Sequence, residues 1–243
     1  MLIQGFVILV ASQFLRKPSV TAQSSAATAN PQSARSFAPL EVLKTPLFWL
    51  LYVMFVLVAT GGLAVTAQFA SIAGDFKVAS AHVSLLGLTG TVLTVALVID
   101  NILNGLARPF FGWISDRIGR EPTMFMVFLF NAAAIWSLWQ FGHDPLLFVV
   151  CSGAIYFTWG EIYSLFPATC TDCFGLKFAT TNAGLLYTAK GTASLLVPVA
   201  AMLAASPKDW QTVFMLGAGM NVVAAFLAIL ALRPLRAAHA AAA

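Results

Sequence analysis

Arg108 and Lys190 are the residues best placed to do chemistry, because each is a cation inside a run otherwise apolar enough to cross a membrane. An ionisable side chain at such a depth costs several kcal/mol unless it is paired, and it marks a functional position by default. Arg108 lies seven residues before Ser115, where its run meets the aqueous boundary. At the α-helical rise that is ~10 Å of depth. Lys190 lies ten residues after Thr180, at the start of its own run, or ~15 Å deep by the same rise. The two runs travel in opposite directions, so the cations reach similar depths. Two positive charges there suit a dianion.

The neighbouring residue types agree with anion binding. At ~100° per residue, Thr94, Asn101, Asn104 and Arg108 share one stripe of a helix. Tyr187, Lys190 and Ser194 share a face in a later run. In "FTWGEIYSLFP", Trp159 and Tyr163 stand four apart on one face, with Glu161 turned to the other side. Indole N–H and phenol O–H groups can wall off a small site and donate hydrogen bonds. The alternative is internal ion pairing. Asp100 stands near the edge of the Arg108 stripe, and Glu161 is at roughly the depth of Lys190.

Other chemistries find no support. Cys170 and Cys173 form a C-x-x-C, but no second Cys or His cluster completes a metal site, and three cysteines make no disulfide framework. No nucleophile–base pair or phosphate loop appears, which argues against an enzyme. His82 and His143 fall in loops, away from any proton relay. The 13 basic and nine acidic residues are spread over short loops, which is not a nucleic-acid footprint.

The elements that must position these residues are membrane spans. The chain is 60% hydrophobic and 9% charged, where a soluble domain carries about 25% charged residues. Six stretches supply the ~20 apolar residues that a bilayer demands: 46–72, 83–112, 123–141, 145–168, 180–204 and 210–232. Thr45-Pro46 reads as an N-cap with proline at the first helical position. "GHDP" at 142–145, "SPKD" at 206–209 and "RP" at 233–234 read as turns or helix ends. Residues 1–15 read as the end of a transmembrane helix whose beginning is missing. Residues 16–44 form a polar linker rich in Ser, Ala, Thr and Pro, and 237–243 a short tail. The positive-inside rule makes the linker cytoplasmic. That side carries Arg16, Lys17, Arg35, Lys44, Arg117, Arg120, Lys177, Arg233 and Arg236, against Lys77 and Lys208 on the other. Gly61-Gly62, Gly87, Gly105 and Gly191 suit helix contacts or hinges.

"GWISDRIGR" places Gly112, Asp116, Arg117, Gly119 and Arg120 in a very short turn between two spans. This closely resembles the G-x-x-x-D-R-x-G-R signature of the major facilitator superfamily, in which the aspartate and arginines latch helix ends at the cytoplasmic gate. The resemblance implies an all-α polytopic helix bundle: the truncated end of a sixth helix, a linker, and the six-helix C-terminal domain over 45–236. A separate N-terminal half is implied as its partner. Alternating access needs two halves moving about a central site. A fragment that does not transport, or a half that depends on a partner, is therefore the alternative expectation.

A narrower resemblance rests on "TPLFWLLYVMF", "NGLARPFFGWISDRIGRE", "FTWGEIYSLFPATCTD" and "YTAKG". These are similar to the oxalate/formate antiporter family and run from about residue 45 to the end. In that family an arginine of the eighth helix and a lysine of the eleventh coordinate the oxalate carboxylates, positions held here by Arg108 and Lys190. The aromatics that cap the site fall on Trp159, Tyr163 and Tyr187, with Asn104 on the arginine's stripe. Tyr187 departs from members with tryptophan at that position, and its phenol adds a donor. The implied activity is exchange of small carboxylates, oxalate for formate, in the cell inner membrane, with no cofactor or metal. Another short mono- or dicarboxylate is the nearer alternative within transport.

Overall fold

The computed structural model describes residues 9–10, 12–13, 32–33, 35–205 and 210–242. Most of the expected truncated helix, most of the linker and the "SPKD" turn lie outside these residues. A short helix α1 (Pro39–Val42) precedes α2 (Pro46–Asp75), a hairpin β1 (His82–Leu85) and β2 (Leu88–Thr91), and α3 (Val92–Ile118). Then come α4 (Arg120–Phe141), α5 (Pro145–Trp159), α6 (Ile162–Phe174), α7 (Ala179–Ala205), α8 (Trp210–Leu227) and α9 (Arg233–Ala242). The chain is an all-α polytopic bundle. Among the described residues five stretches, Pro46–Asp75, Val92–Ile118, Arg120–Phe141, Pro145–Phe174 and Trp210–Ala241, are long and apolar enough to cross a membrane. The helix Ala179–Ala205 stands beside them.

Local chemistry sets the helix starts. Thr45 Oγ1 accepts the Phe48 N–H ahead of Pro46. Asp144 Oδ1 accepts from the N–H groups of Leu146 and Leu147, each at 2.9 Å, ahead of Pro145. Each cap satisfies donors that the first helical turn leaves free.

Three departures from the sequence reading have physical causes. The run beginning at 83 is not helical until Val92: its first residues pair as the hairpin, Leu85 opposite Leu88. Leu86 and Gly87 turn it with φ of 53° and 80°, the double positive φ of a type I′ turn. The run beginning at 145 is two helices, because Gly160 and Glu161 interrupt it. Gly160 sits so close to α3 that a Cβ there would lie 2.6 Å from the Asn104 carbonyl. Finally, Arg233-Pro234 does not end the last span. Proline cannot donate to the fourth carbonyl back, and a π-helical turn at Ala228–Leu232 absorbs the defect. The helix continues through the expected tail to Ala242.

Phenylalanines fill the core. Phe48, Phe55, Phe128, Phe166 and Phe174 are buried toward one end of the bundle. Phe69, Phe148 and Phe214 are buried toward the hairpin end. The outward surface is apolar too, with Trp49, Leu106, Phe130, Leu195 and Leu230 exposed. That pattern fits lipid as the solvent. Among the buried interhelical polar contacts, Asn131 of α4 donates from Nδ2 to the Ile155 carbonyl at 3.1 Å and to Thr158 Oγ1 at 2.9 Å.

Candidate functional site

Three elements bring the predicted cations together at one ring. Arg108 from α3 places its guanidinium carbon 4.9 Å from the Tyr163 ring centroid. Lys190 from α7 places Nζ 5.0 Å from the same centroid. The two charges are therefore no more than about 10 Å apart. At an effective dielectric of ~20 such a pair repels by roughly 1.7 kcal/mol or more. A cation over a tyrosine face recovers ~0.5–2 kcal/mol, which holds each in place without neutralising it. Neither cation forms an ion pair among the described residues. Arg108 is exposed and Lys190 half-buried, so the site opens at the chain's surface.

The alternative, internal ion pairing of Arg108 with Asp100 or Lys190 with Glu161, is not seen among the described residues. Asp100 is fully buried and accepts the Ser152 hydroxyl at 3.1 Å instead of meeting Arg108. Glu161 is fully buried, and neither of its oxygens has a hydrogen-bond partner among the described residues.

Aromatic packing fixes Tyr163. Its ring lies 5.8 Å from Trp159 at 77° and stacks on Tyr187 at 6.3 Å and 13°. Tyr187 contacts Phe55, which stacks on Phe166 at 4.6 Å. Such ring pairs are worth about 0.5–1.5 kcal/mol each beyond burial. Pro167, four residues after Tyr163, has no N–H for the Tyr163 carbonyl. The Tyr187 hydroxyl donates to that carbonyl at 3.2 Å. The spacing of Pro167 from Tyr163 is the sequence signal that could have found this bond.

Trp159 packs on Gly62 of α2, where a Cβ would lie 2.3 Å from the indole nitrogen. The Trp159 N–H makes no hydrogen bond, so this side chain acts as wall more than donor. Asn104 does not join the ring cluster. Its amide donates to the Tyr156 carbonyl at 3.1 Å, bracing α3 against α5 just before the break. Thr94 and Asn101, on the same stripe, bond within their own helix end, to Thr91 Oγ1 and the Leu97 carbonyl. Ser194 donates to the Gly191 carbonyl. Tyr52 was not anticipated: its hydroxyl meets Thr192 Oγ1 at 2.7 Å, tying α2 to α7 two residues beyond Lys190.

A second charged cluster joins the helix ends around the 112–120 motif. Arg120 bonds Asp116 at 2.7 Å and Asp172 at 3.0 Å, and also reaches the Ser115 hydroxyl. Arg236 bonds Asp172 at 3.3 Å and Glu121 at 2.8 Å. Asp172 thus links α4, α6 and α9 while almost fully buried. It lies between the two cysteines of "CTDC", past the expected end of the 145–168 run, and nothing in the spacing marked it as a latch. Arg117 stands apart, with its guanidinium 4.0 Å from the Trp113 ring. Gly119 makes the turn at φ 102°. Gly112 faces open space in this chain. Nearby, the Ala38 N–H and then Arg35 hold the Glu41 carboxyl below its usual range.

Residues 64–242 match the family model for the Major Facilitator Superfamily. The chain is 33% identical over 228 residues to the oxalate:formate antiporter of Oxalobacter formigenes, an alignment covering 93% of this chain and 51% of that protein. It is 23% identical over 168 residues to the uncharacterized MFS-type transporter YhjX of Escherichia coli (strain K12), covering 69% of this chain and 40% of the relative. An uncharacterized 38 kDa protein in the 23S RNA operon of Thermoproteus tenax is 27% identical over 166 residues, 68% of this chain and 39% of the relative. The chain thus spans about half the length, or less, of the curated relatives it matches.

Proposed function

Since the chain belongs to the major facilitator superfamily, we propose that it forms the anion-binding wall of a membrane carrier exchanging small carboxylates, oxalate for formate first among them. The observation that carries the reading is the convergence of Arg108 and Lys190 on Tyr163 with no counter-charge paired to either among the described residues. The likeness to a named oxalate:formate antiporter supports the choice of anion.

A dicarboxylate between the two cations neutralises both. Arginine offers a planar fork of donors that matches a carboxylate bidentately, and lysine a compact point charge. Tyr163 sets the separation, while Trp159, Tyr187 and Phe55 keep its ring from turning. An empty site leaves two unpaired cations to be carried out of contact with water, at several kcal/mol per ion. Reorientation is therefore favoured with an anion bound, which makes the carrier an exchanger. If oxalate enters as a dianion and formate leaves as a monoanion, the two anions by themselves carry one net negative charge inward per cycle.

Arg108 is exposed on this chain, so the rest of the cavity wall is supplied by a further part of the carrier. The network of Asp116, Arg120, Glu121, Asp172 and Arg236 latches the helix ends on the cytoplasmic side of the inner membrane, a side assigned by the excess of Lys and Arg there. Counterflow of labelled oxalate into proteoliposomes loaded with oxalate or formate tests the reading. Arg108→Gln and Lys190→Gln each abolish uptake while the protein stays folded; uptake at the wild-type rate in either contradicts it.

A further inference from the structure

Glu161 occupies an unusual place. It is the second residue of the two-residue break between α5 and α6, its side chain has no exposure, and neither oxygen has a hydrogen-bond partner. The titratable groups of the surrounding elements are engaged elsewhere. On α3, Arg108 lies over Tyr163 and Asp100 accepts from Ser152. On α7, Lys190 lies over Tyr163 and the Tyr187 hydroxyl is spent on the Tyr163 carbonyl. On α6, Asp172 is held by Arg120 and Arg236. On α2, the Tyr52 hydroxyl meets Thr192. The acidic and basic groups of α4, Arg120 and Glu121, belong to the network at the helix ends. On α5, Tyr156 contacts Trp159 and Phe69.

Burial of Glu161 is complete with this chain alone. Neither an anion in the open site nor another polypeptide reaches it unless the α5–α6 break moves. An ionised carboxylate left there without partners is far more costly than a neutral acid. We propose that Glu161 is a proton-binding site: it is carried through the membrane as the neutral acid, and it exchanges its proton with water when the break opens. The step is COOH to COO⁻ plus H⁺, the proton passing to water on the side to which the break faces. The break is suited to this role. Gly160 and Glu161 keep helical backbone angles, and the Glu161 carbonyl is shared by the N–H groups of Ser164 and Leu165 and the Ser164 hydroxyl. A modest shift of this turn, without unfolding of the span, therefore brings the carboxyl to water. A neutral Glu161 also leaves the double positive charge of Arg108 and Lys190 intact for an anion.

The proton site stands on burial and geometry. Its coupling to anion movement rests on the carrier reading, and the two are tested separately. Infrared difference spectra of the full chain in lipid, wild type minus Glu161→Gln, should show one protonated-carboxyl C=O band at neutral pH that shifts in D₂O. Asp100→Asn leaves that band in place. Glu161→Leu, which removes all polarity from the position, serves if the Gln variant does not fold. Absence of a Glu161-dependent protonated band, with only carboxylate bands present, overturns the site whatever the transport result. A pH dye inside proteoliposomes tests release: proton movement accompanies anion exchange in the wild type and is lost in Glu161→Gln. Exchange in the wild type without proton movement overturns the release step. Should no anion exchange occur in any variant, the carrier reading fails and the infrared band still decides the proton site.

Discussion

The Tyr187 hydroxyl donates at 3.2 Å to the Tyr163 carbonyl, whose helical i+4 donor is missing because Pro167 occupies that position. A defect in one helix is thus made good by a side chain of another, and the ring that gathers both cations is locked to α7.

Tyr187→Phe keeps the stacked ring and removes the donor. A hydrogen bond of this kind contributes ~0.5–1.5 kcal/mol net, so thermal unfolding should show a loss of about 1 kcal/mol. Pro167→Ala restores the helical donor. In that background the cost of Tyr187→Phe should shrink toward zero, and a double-mutant cycle reads the difference. An undiminished cost would mean that the phenol acts elsewhere.

Asp172 should matter more to stability than the motif residues flanking it. Asp172→Asn weakens two nearly buried contacts, to Arg120 and Arg236, and breaking one partner of such a pair typically costs 3–5 kcal/mol. Asp116 is half-exposed, and Asp116→Asn should cost no more than about 1 kcal/mol. Arg117→Gln should likewise be nearly neutral. Unfolding midpoints of the three variants in one detergent give the order.

Gly62 marks where α2 meets the aromatic wall. A methyl at that position would overlap the Trp159 indole, and over-packing of this kind costs ~1–3 kcal/mol. Gly62→Ala should lower the unfolding midpoint and alter Trp159 fluorescence. Gly105→Ala, whose Cβ meets open space, should do neither.

Leu86 turns the hairpin at φ 53° and is 85% exposed. A leucine held there costs about 1–2 kcal/mol, with little packing to offset it. Leu86→Asn or Leu86→Gly should therefore stabilise the chain by up to ~1 kcal/mol, measurable as a higher unfolding midpoint.

The spans were legible because run length, capping threonine and prolines at first helical positions act locally. Depth counting from the ends also placed Arg108 and Lys190 together, since helical rise is nearly constant. The hairpin escaped notice because its apolar residues Val83, Leu85 and Leu88 lie inside a run already long enough to be a span. Gly160 concealed the break, because a lone glycine is tolerated within a helix and only the approach of Asn104 gives it meaning. Asn104 itself shares the face of Arg108, yet a face does not say which neighbour it meets; the Tyr156 carbonyl claimed it. The isolation of Glu161 was equally invisible, since a lack of partners is a property of the packed bundle.

Calorimetric titration of oxalate and formate into the lipid-embedded protein tests the central claim most directly, because it reads the two cations without requiring turnover. Wild type should bind oxalate more tightly than formate. Arg108→Gln or Lys190→Gln should each weaken oxalate at least tenfold, about 1.4 kcal/mol, and narrow its advantage over formate. Oxalate affinity unchanged in either variant would contradict the account.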